Sequence, residues 1–191
     1  MREHCVVLGN GRSRLHFDLY KIKERYVTYG CNAIYRDFMP DTLVSMDMFM
    51  VDEIIKSKAH YNTHFVTQHT NNIDKLAANG EPIHFLKHMN STPDSGTAAI
   101  RLASEAGYKL IYLLGFDYHN GKFNNIYAGT PNYSGSNHIT PYSQDTSWRT
   151  RLNKIINDNT DTLYVRVTDE ENISEKTNFQ HMTIEKFKEK Y

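Results

Sequence analysis

The residues with the clearest chemical use lie near the start of the chain, where the run GNGRS covers Gly9 to Ser13. This run follows the apolar stretch CVVL, which has the composition of a buried strand. Glycines at such a junction let the chain turn tightly and let a phosphate or ribose approach the backbone, and the amino end of a following helix favours an anion. Asn10 and Ser13 add neutral hydrogen-bonding groups. The run predicts an anion-binding turn, and an ordinary strand-to-helix turn without a ligand is the alternative.

This turn differs from the common nucleotide-binding loops. A G-x-G-x-x-G fingerprint needs a third glycine where Arg14 stands, and the acidic residue expected after the second strand is replaced by Asn32. The sequence also contains no G-x-x-x-x-G-K-[ST] loop. These differences disfavour NAD, FAD and the ordinary ATPase and GTPase mechanisms. Asn32 can hydrogen-bond a base or ribose, or it can be a turn residue with a left-handed backbone, and both interpretations stay open.

A second segment with similar properties is DSGT at residues 94–97, which opens a helix rich in small residues. Its Asp or Ser is a suitable N-cap, and the helix amino end again offers backbone N–H groups. The strand that follows this helix leads into Gly115 and Asp117. Capping alone also accounts for Ser95. We expect Asn10 and Ser95 to face one cleft, each beside an exposed helix amino end.

The elements that must position these residues alternate along the chain between short apolar strands and helical patterns. Strands are predicted at His4–Leu8, Tyr26–Cys31, Thr42–Met46, His64–Thr67, Ile83–Leu86, Lys109–Leu114 and Thr162–Val167. Helices are predicted at about Ser13–Lys23, Met48–Lys58, Ile73–Asn79, Gly96–Ala106, Gln144–Asp158 and Thr183–Lys190. The alternation predicts an α/β fold with a mostly parallel sheet flanked by helices, as one Rossmann-like domain over residues 1–191.

The stretch 116–143 breaks this alternation, since it is rich in Asn, Gly, Tyr and Pro and has no sustained period. A loop of this length in a compact domain is either a functional lid or a disordered insertion. Disordered linkers are poor in aromatic residues, so the aromatic content favours a lid that packs over a ligand. The aromatic residues are Tyr118, Phe123, Tyr127, Tyr133 and Tyr142.

The charge balance restricts the partners. The 191 residues include 22 basic and 22 acidic side chains, and the isoelectric point is near 7.2. Duplex nucleic acid and anionic membranes require a basic surface, and no apolar run approaches the roughly 20 residues of a membrane span. We expect a cytoplasmic protein with a small-molecule partner, and the composition leaves open whether the protein is a homo-oligomer.

Cysteines and histidines predict neither a disulfide nor a metal site. Cys5 and Cys31 lie in apolar strand segments, where unpaired cysteines act as small buried apolar residues. His84 and His88 have the spacing of metal ligands on a helix but fall on a predicted strand and loop. No Asp-x-Asp motif is present to hold a divalent cation.

Three blocks of sequence, taken in order, resemble the bacterial lipooligosaccharide sialyltransferases. They are the first strand with Gly-Asn-Gly-x-Ser, the pattern Cys-Asn-x-x-Tyr, and Ser-Gly with a small-residue helix that leads into Gly-Tyr-Lys-x-Ile-Tyr-Leu-x-Gly-x-Asp. The chain is more distantly similar to the motility accessory factor domain and the archaeal pterin pyrophosphokinases. In the sialyltransferases these blocks form the CMP-sugar site of a metal-independent, inverting enzyme.

The resemblance implies binding roles for residues of several turns. Asn10, Gly11 and Ser13 would hold phosphate and ribose, residues 95–97 the cytidine end, and Asp117 with Tyr127 the remaining contacts to ribose and phosphate. The set implied to bind the nucleotide is Asn10, Gly11, Ser13, Asn32, Ser95, Gly96, Thr97, Gly115, Asp117 and Tyr127.

Four further residues have more individual roles in this comparison. Arg12 stands where the family has Pro, so it either adds a phosphate partner or blocks the same pose. Asp47 falls near a family residue that binds substrate. The resemblance implies a general base in the lid, for which Tyr142 and His138 are the local matches.

The resemblance therefore implies a glycosyltransferase-like protein that takes a cytidine nucleotide sugar as its ligand and needs no other cofactor and no metal. One alternative is a nucleotide-binding protein that has lost catalysis. Another is a pterin pyrophosphokinase-like enzyme, which would depend on ATP and Mg²⁺ and for which the sequence offers no clear acidic pair.

Overall fold

The computed structural model describes residues 3–86, 94–117, 125–133, 135, 142–170 and 176–191, with backbone only for 142–146. The strands are β1 (His4–Leu8), β2 (Val27–Cys31), β3 (Thr42–Val44), β4 (His64–Thr67), β5 (Ile83–Phe85), β6 (Leu110–Leu114), β7 (Leu163–Val167) and β8 (Phe179–Met182). The α-helices are α1 (Leu19–Arg25), α2 (Met48–Lys56), α3 (Asn71–Ala78), α4 (Ser95–Glu105), α5 (Tyr142–Asp158) and α6 (Ile184–Lys188). Short 3₁₀ helices cover Arg12–His16, Asn32–Arg36 and Ala59–Asn62.

The strands form one sheet in the order β5-β4-β3-β2-β1-β6-β7-β8, and every neighbouring pair is parallel. The chain leaves β1 towards β2 and returns on the other side as β6, so the strand order reverses at the β1–β6 pair. In sheets of this kind the crevice outside the carboxyl ends of such strands is the usual ligand site. The predicted Rossmann-like α/β fold is confirmed.

Both faces of the sheet are covered, which explains the apolar runs in the sequence. Val6 and Leu8 of β1 belong to the apolar cluster on one face, and Cys5 and Val7 belong to the cluster on the other. Burial on both faces requires apolar residues at successive positions rather than at alternate ones. Cys5 and Cys31 are unpaired and buried, as expected.

The helix predicted from about Ser13 to Lys23 is wrong in form. A 3₁₀ helix ends at His16, Phe17 is extended and buried, and α1 begins at Leu19 with Asp18 as its N-cap. The ring of Phe17 packs edge-on against Phe187, with 5.6 Å between ring centroids. Burial of this ring requires a break in the helix. The turn after β1 is therefore followed by a short 3₁₀ helix instead of a long α-helix, and the helix dipole at the turn is weak.

Strand β8 was not predicted from the sequence. Its pattern Phe179-Gln180-His181-Met182 contains only two apolar residues, and only Phe179 is buried. The strand lies at the sheet edge and pairs with β7 alone. An edge strand pairs with a neighbour on one side, so it can be short and polar. Such a strand has no apolar periodicity by which the sequence could predict it.

The lid was predicted as an irregular segment over 116–143. Residues 125–133 form a series of turns that pack against the turn after β1, which agrees with this prediction. Helix α5 begins at Tyr142, inside the predicted loop, so the irregular segment ends earlier than predicted. Residues 118–124, 134 and 136–141 of the segment lie outside the described residues. Within the part of the chain that is described, no helix has the length and apolar character to cross a membrane.

Candidate functional site

The turns after β1 and β6 are joined to each other at the point where the strand order reverses. The amide of Gly9 donates to the carbonyl of Leu114, and the amide of Gly11 donates to the carbonyl of Gly115, each at 2.8 Å. A Cβ at Gly11 would lie 2.7 Å from that Gly115 oxygen, so the close approach requires glycine. Two motifs about a hundred residues apart in the sequence therefore meet at this edge.

Asp117 connects the same two turns through its carboxylate. Its Oδ2 accepts a hydrogen bond from the backbone amide of Ser13 at 2.8 Å, and its Oδ1 accepts one from the Ser13 hydroxyl. The expectation that this turn presents exposed N–H groups is wrong for Ser13, because a carboxylate from the neighbouring strand already takes that amide. Ser13 and Asp117 lie together as predicted, but they bind each other in the structure.

Arg14 is the centre of this edge, and sequence analysis considered it only as a missing glycine. It is 3% exposed. Its guanidinium donates to the carbonyl of Gly9 at 3.0 Å, to Oδ1 of Asn10 at 2.8 Å and to the hydroxyl of Tyr127 at 2.7 Å. The guanidinium also lies 3.6 Å from the Asp37 carboxylate. A buried positive charge that is partly balanced by this carboxylate therefore lies directly behind the predicted phosphate turn, where the helix dipole is weak. The only sign of this role in the sequence is that position 14 carries a second basic residue, two positions after Arg12.

The side chain of Asn10 is held from both ends. Its Oδ1 accepts from Arg14, and its Nδ2 donates to the carbonyl of Cys31 at 3.3 Å and to the hydroxyl of Tyr133 at 3.4 Å. Arg14 thereby sets the amide orientation, since only the oxygen can face a guanidinium. The carbonyl of Asn10 also accepts from the amide of Ile126 at 2.9 Å, so residues 125–133 pack directly on this turn.

Tyr127 occupies a buried position within that segment. Its hydroxyl accepts from Arg14 and donates to Oδ2 of Asp37 at 2.6 Å. Burial raises the pKa of Tyr127, and the hydrogen bond to Asp37 raises it further, while the Arg14 charge opposes both effects. The phenol therefore remains protonated at neutral pH. Its predicted contact to a ligand stays a prediction, because within the protein the hydroxyl already has a donor and an acceptor.

Hydrogen bonds and an ion pair connect segment 125–133 to the 3₁₀ helix Asn32–Arg36 and to α2. Arg36 donates to the Thr130 hydroxyl at 2.7 Å and forms an ion pair with Glu53 at 2.6 Å. The side-chain amide of Asn132 donates to the same Glu53 carboxylate at 2.7 Å. These contacts hold the described part of the predicted lid over the β1 side of the edge.

The start of α4 lies at the same edge but is capped internally. Asp94 accepts from the Thr97 amide at 2.8 Å and from the Thr97 hydroxyl at 2.6 Å, and it pairs with Arg151 of α5 at 3.2 Å. The Ser95 hydroxyl accepts from the amide of Met46, just after β3, at 2.8 Å. Of the two predicted N-caps, Asp94 is the one that caps α4, so the Thr97 amide is not one of the free N–H groups that we expected there.

The ring of Phe116 lies between these two turns. A Cβ on Gly9 would be 3.3 Å from this ring, and a Cβ on Gly96 would be 3.2 Å from it. Asn10 and Ser95 therefore lie at one edge of the sheet as expected, but a side chain fills part of the space between their turns. A ligand that contacts both turns must pass beside this ring.

Asn32 and Asp47 complete the edge with local roles. Asn32 has a left-handed backbone with φ of 53°, and its Oδ1 accepts from Ser45 at 2.9 Å. The turn interpretation of Asn32 is thus confirmed, while a nucleotide contact stays a prediction. Asp47 is exposed and is the N-cap of α2, accepting from the Phe49 amide at 2.9 Å.

The remaining predicted residues are less defined. Arg12 is exposed on the 3₁₀ helix after β1. His138 lies outside the described residues, and Tyr142 is the first residue of α5, described by its backbone only. Among the described side chains, no three of His, Cys, Asp or Glu come together as a metal site would require.

Fold comparison places this architecture among the sialyltransferase-like folds. The chain is similar to the monofunctional α-2,3-sialyltransferase Cst-I from Campylobacter jejuni, with a TM-score of 0.55 and 14% identity, over 88% of this chain and 76% of that one. It is also similar to the sialyltransferase CstII from Campylobacter jejuni in complex with the substrate analogue CMP-3FNeuAc, with a TM-score of 0.51 and 16% identity, over 85% and 79% of the two chains. A CstII complex with cytidine-5'-monophosphate gives a TM-score of 0.51, 16% identity, and coverage of 87% and 79%.

No protein-family model matches the sequence, and no curated protein sequence matches it either. At these identities the structural likeness demonstrates the fold alone, and the fold agrees with the resemblance that the three sequence blocks suggest.

Proposed function

We propose that this protein is a glycosyltransferase-like enzyme that binds a cytidine nucleotide sugar at the carboxyl ends of β1 and β6 and transfers the sugar to an acceptor hydroxyl without a metal ion. The observation that carries this proposal is that three segments with predicted binding residues meet at the carboxyl ends of the strands. They are the turn 9–14, the turn 115–117 and the start of α4. The fold is that of solved sialyltransferases, one of which, CstII, was determined both with CMP and with a CMP-sugar analogue.

Electrostatics support a phosphate on the β1 side of this edge. The guanidinium of Arg14 is buried behind the turn. Arg12, two residues before Arg14, is exposed and adds a second positive charge at the same turn. Preorganised positive charge of this kind stabilises a leaving phosphate without reorganisation during the reaction. In this proposal Asn10 and Ser13 bind the phosphate and ribose, and Tyr127 exchanges its Asp37 partner for a phosphate oxygen.

The other side of the edge suits an uncharged group. Ser95, Gly96 and Thr97 are neutral, and the Phe116 ring beside Gly96 offers an apolar face to a base. We assign the cytosine to this side. The resemblance supplies His138 and Tyr142 as general bases for the acceptor hydroxyl, and their roles are part of the proposal.

Calorimetry with CMP, UMP and AMP tests the binding step, and release of CMP from CMP-sugars tests the chemistry. We expect CMP to bind more tightly than AMP, and Asn10→Ala to weaken CMP binding by about tenfold, the effect of losing roughly 1.4 kcal/mol. Asn79→Ala, at the exposed end of α3, is the matched control and should bind like the wild type. Absence of nucleotide binding would reject the proposal, while tight binding with no turnover of any CMP-sugar would reject its catalytic part.

A further inference from the structure

Asp37 places a carboxylate beside the proposed phosphate turn, on the side of segment 125–133. It directly follows the 3₁₀ helix Asn32–Arg36, and its side chain is 56% exposed. Its Oδ2 accepts a hydrogen bond from the hydroxyl of Tyr127 at 2.6 Å and lies 3.6 Å from the guanidinium of Arg14. A negative charge of the protein therefore lies next to the place where the proposed function puts a second one.

The charge of Asp37, rather than its capacity to accept hydrogen bonds, distinguishes this residue. The Tyr127 hydroxyl needs only an acceptor, which the neutral side chain of an asparagine would also supply. At 3.6 Å the carboxylate makes no hydrogen bond to Arg14, so it acts on the guanidinium through its charge. An aspartate at position 37 thus contributes a charge that the hydrogen bonds around it do not require.

Arg14 connects Asp37 to the turn that is proposed to hold the phosphate. Its Nη1 donates to Oδ1 of Asn10 at 2.8 Å. Its Nη2 donates to the hydroxyl of Tyr127 at 2.7 Å and is the atom that lies 3.6 Å from Asp37. Asn10 and Asp37 therefore contact the two ends of one guanidinium, and a phosphate bound at Asn10 would share this buried cation with the carboxylate of Asp37.

A second carboxylate opposes the arginines of this turn. Asp117 binds the amide and the hydroxyl of Ser13, one residue before Arg14. Strong binding of a phosphate with two charges depends on charge-assisted hydrogen bonds to cations, and a carboxylate beside those cations weakens the attraction. The turn carries Arg12 and Arg14 but has Asp37 and Asp117 next to it, so its charges suit an anion of low charge.

The charge of a nucleotide phosphate depends on its esterification. In a CMP-sugar the phosphorus belongs to a diester, which has one negative charge. Free CMP is a monoester, and such a phosphate carries about 1.5–2 negative charges at neutral pH. A carboxylate near the phosphate therefore repels free CMP more strongly than it repels the diester of a CMP-sugar.

We propose that Asp37 is a specificity-determining residue, which makes the site prefer the singly charged phosphate diester of a nucleotide sugar over the doubly charged monoester of the free nucleotide. This inference rests on the proposed function, since it concerns the phosphate of the same ligand. In that reaction the free nucleotide is the product, so repulsion by Asp37 favours its release. The repulsion is strongest when Tyr127 donates to the phosphate, because Asp37 then loses its hydrogen-bond donor.

Calorimetry with CMP and cytidine 5'-(methyl phosphate), at about pH 8 where the monoester carries both charges, tests this proposal. The two ligands differ by one charge and one methyl group. We expect wild-type protein to bind the methyl ester at least as tightly as CMP. Asp37→Asn should shift the ratio of the two affinities towards CMP by about tenfold, the effect of one charge at about 10 Å near a protein surface. Asp37→Ser is a second neutral variant, in which the same shift is expected.

Asp158→Asn is the matched control. The side chain of Asp158 is 57% exposed and pairs with Lys154 at 2.7 Å, so it resembles Asp37 in exposure and in having a basic partner. It ends α5, which leads into the amino end of β7, and it therefore lies at the opposite edge of the parallel sheet. This variant should bind both ligands as the wild type does.

The ratio of affinities separates the charge of Asp37 from a merely structural role. A general loss of stability would weaken both ligands equally and would leave the ratio unchanged. The same ratio in wild type and Asp37→Asn, in proteins that bind both ligands, would overturn the role of Asp37 and leave the donor site standing. Failure of all these proteins to bind either ligand would reject the proposed function, and this inference with it.

Discussion

The turn after β1 and the start of α4 look alike in the sequence but are built differently. Both join a small-residue run to a predicted helix, and both were expected to expose backbone N–H groups. At α4 the capping carboxylate comes from Asp94, three residues before the amide it accepts. At the β1 turn it comes from Asp117, on the loop after β6.

This difference teaches that one turn is locally complete and the other depends on the fold. The start of α4 would keep its cap in an isolated helix, because Asp94 and Thr97 are neighbours in sequence. The β1 turn needs β6 beside it, and it needs the buried charge of Arg14 to orient Asn10. Substitution of Arg14 or Gly9 should therefore destabilise the fold more than a matched substitution at α4.

The largest expected difference concerns the arginine of each region. Arg14→Met removes the donors to two buried acceptors, Gly9 O and Asn10 Oδ1, and should lower the free energy of unfolding by about 3 kcal/mol. Arg151→Met breaks a partly exposed ion pair with Asp94 and should cost less than about 1 kcal/mol. Urea denaturation of the two variants measures both values. Equal losses would show that the β1 turn depends on Arg14 no more than α4 depends on Arg151.

A smaller difference is expected for the glycine of each turn. A Cβ at Gly9 would lie 2.9 Å from the Gly115 carbonyl carbon, a backbone atom that cannot move without separating β1 from β6. Gly9→Ala should therefore cost about 2 kcal/mol. At Gly96 the nearest atom is 3.2 Å away on the Phe116 ring, which can adjust.

The control variant Gly96→Ala should stay within about 0.5 kcal/mol of the wild type. Thermal or urea unfolding of both alanine variants provides the comparison. A Gly9→Ala protein as stable as Gly96→Ala would contradict the close approach of the two strand ends.

The smallest effect concerns the contacts that hold segment 125–133 over the β1 turn. Burial alone raises the pKa of Glu53, but hydrogen bonds from Tyr35, Arg36 and Asn132 lower it below its ordinary value of 4.5. The folded state then binds fewer protons than the unfolded state, so this contribution is present above the unfolded pKa and is lost as the pH falls through the folded pKa.

Wild-type protein should therefore lose up to about 1 kcal/mol more stability than Glu53→Gln when the pH falls from about 6 to about 3. Denaturation midpoints of both proteins across this range measure the difference. If the denaturation midpoints of the two proteins changed with pH in the same way, the ionised Glu53 carboxylate would not stabilise the contacts of segment 125–133. Because α4 makes none of these contacts, a selective effect on segment 125–133 would further distinguish the two regions.

Much of the fold could be predicted from the sequence because the signals are local. Apolar runs marked β1 and β6 since both are buried on two faces, and the alternation with helical patterns indicated a parallel sheet. The sequence did not predict the short polar edge strand β8, because this strand has one neighbour and little apolar surface. It did not predict the helix break at Phe17 either, because the ring against which Phe17 packs belongs to Phe187, far away in the sequence.

The site divides in the same way. The sequence by itself indicated that the chain turns after β1 and that a helix begins near Ser95, since GNGRS and DSGT are typical of such positions. Only the tertiary structure decided which groups meet there: Asp117 on Ser13, Arg14 behind Asn10, and Phe116 between the two turns. Hydrogen bonds and packing act over a few ångströms in space regardless of separation along the chain, so a contact such as that of Asp117 with Ser13, 104 residues apart, leaves no pattern in the sequence near either residue.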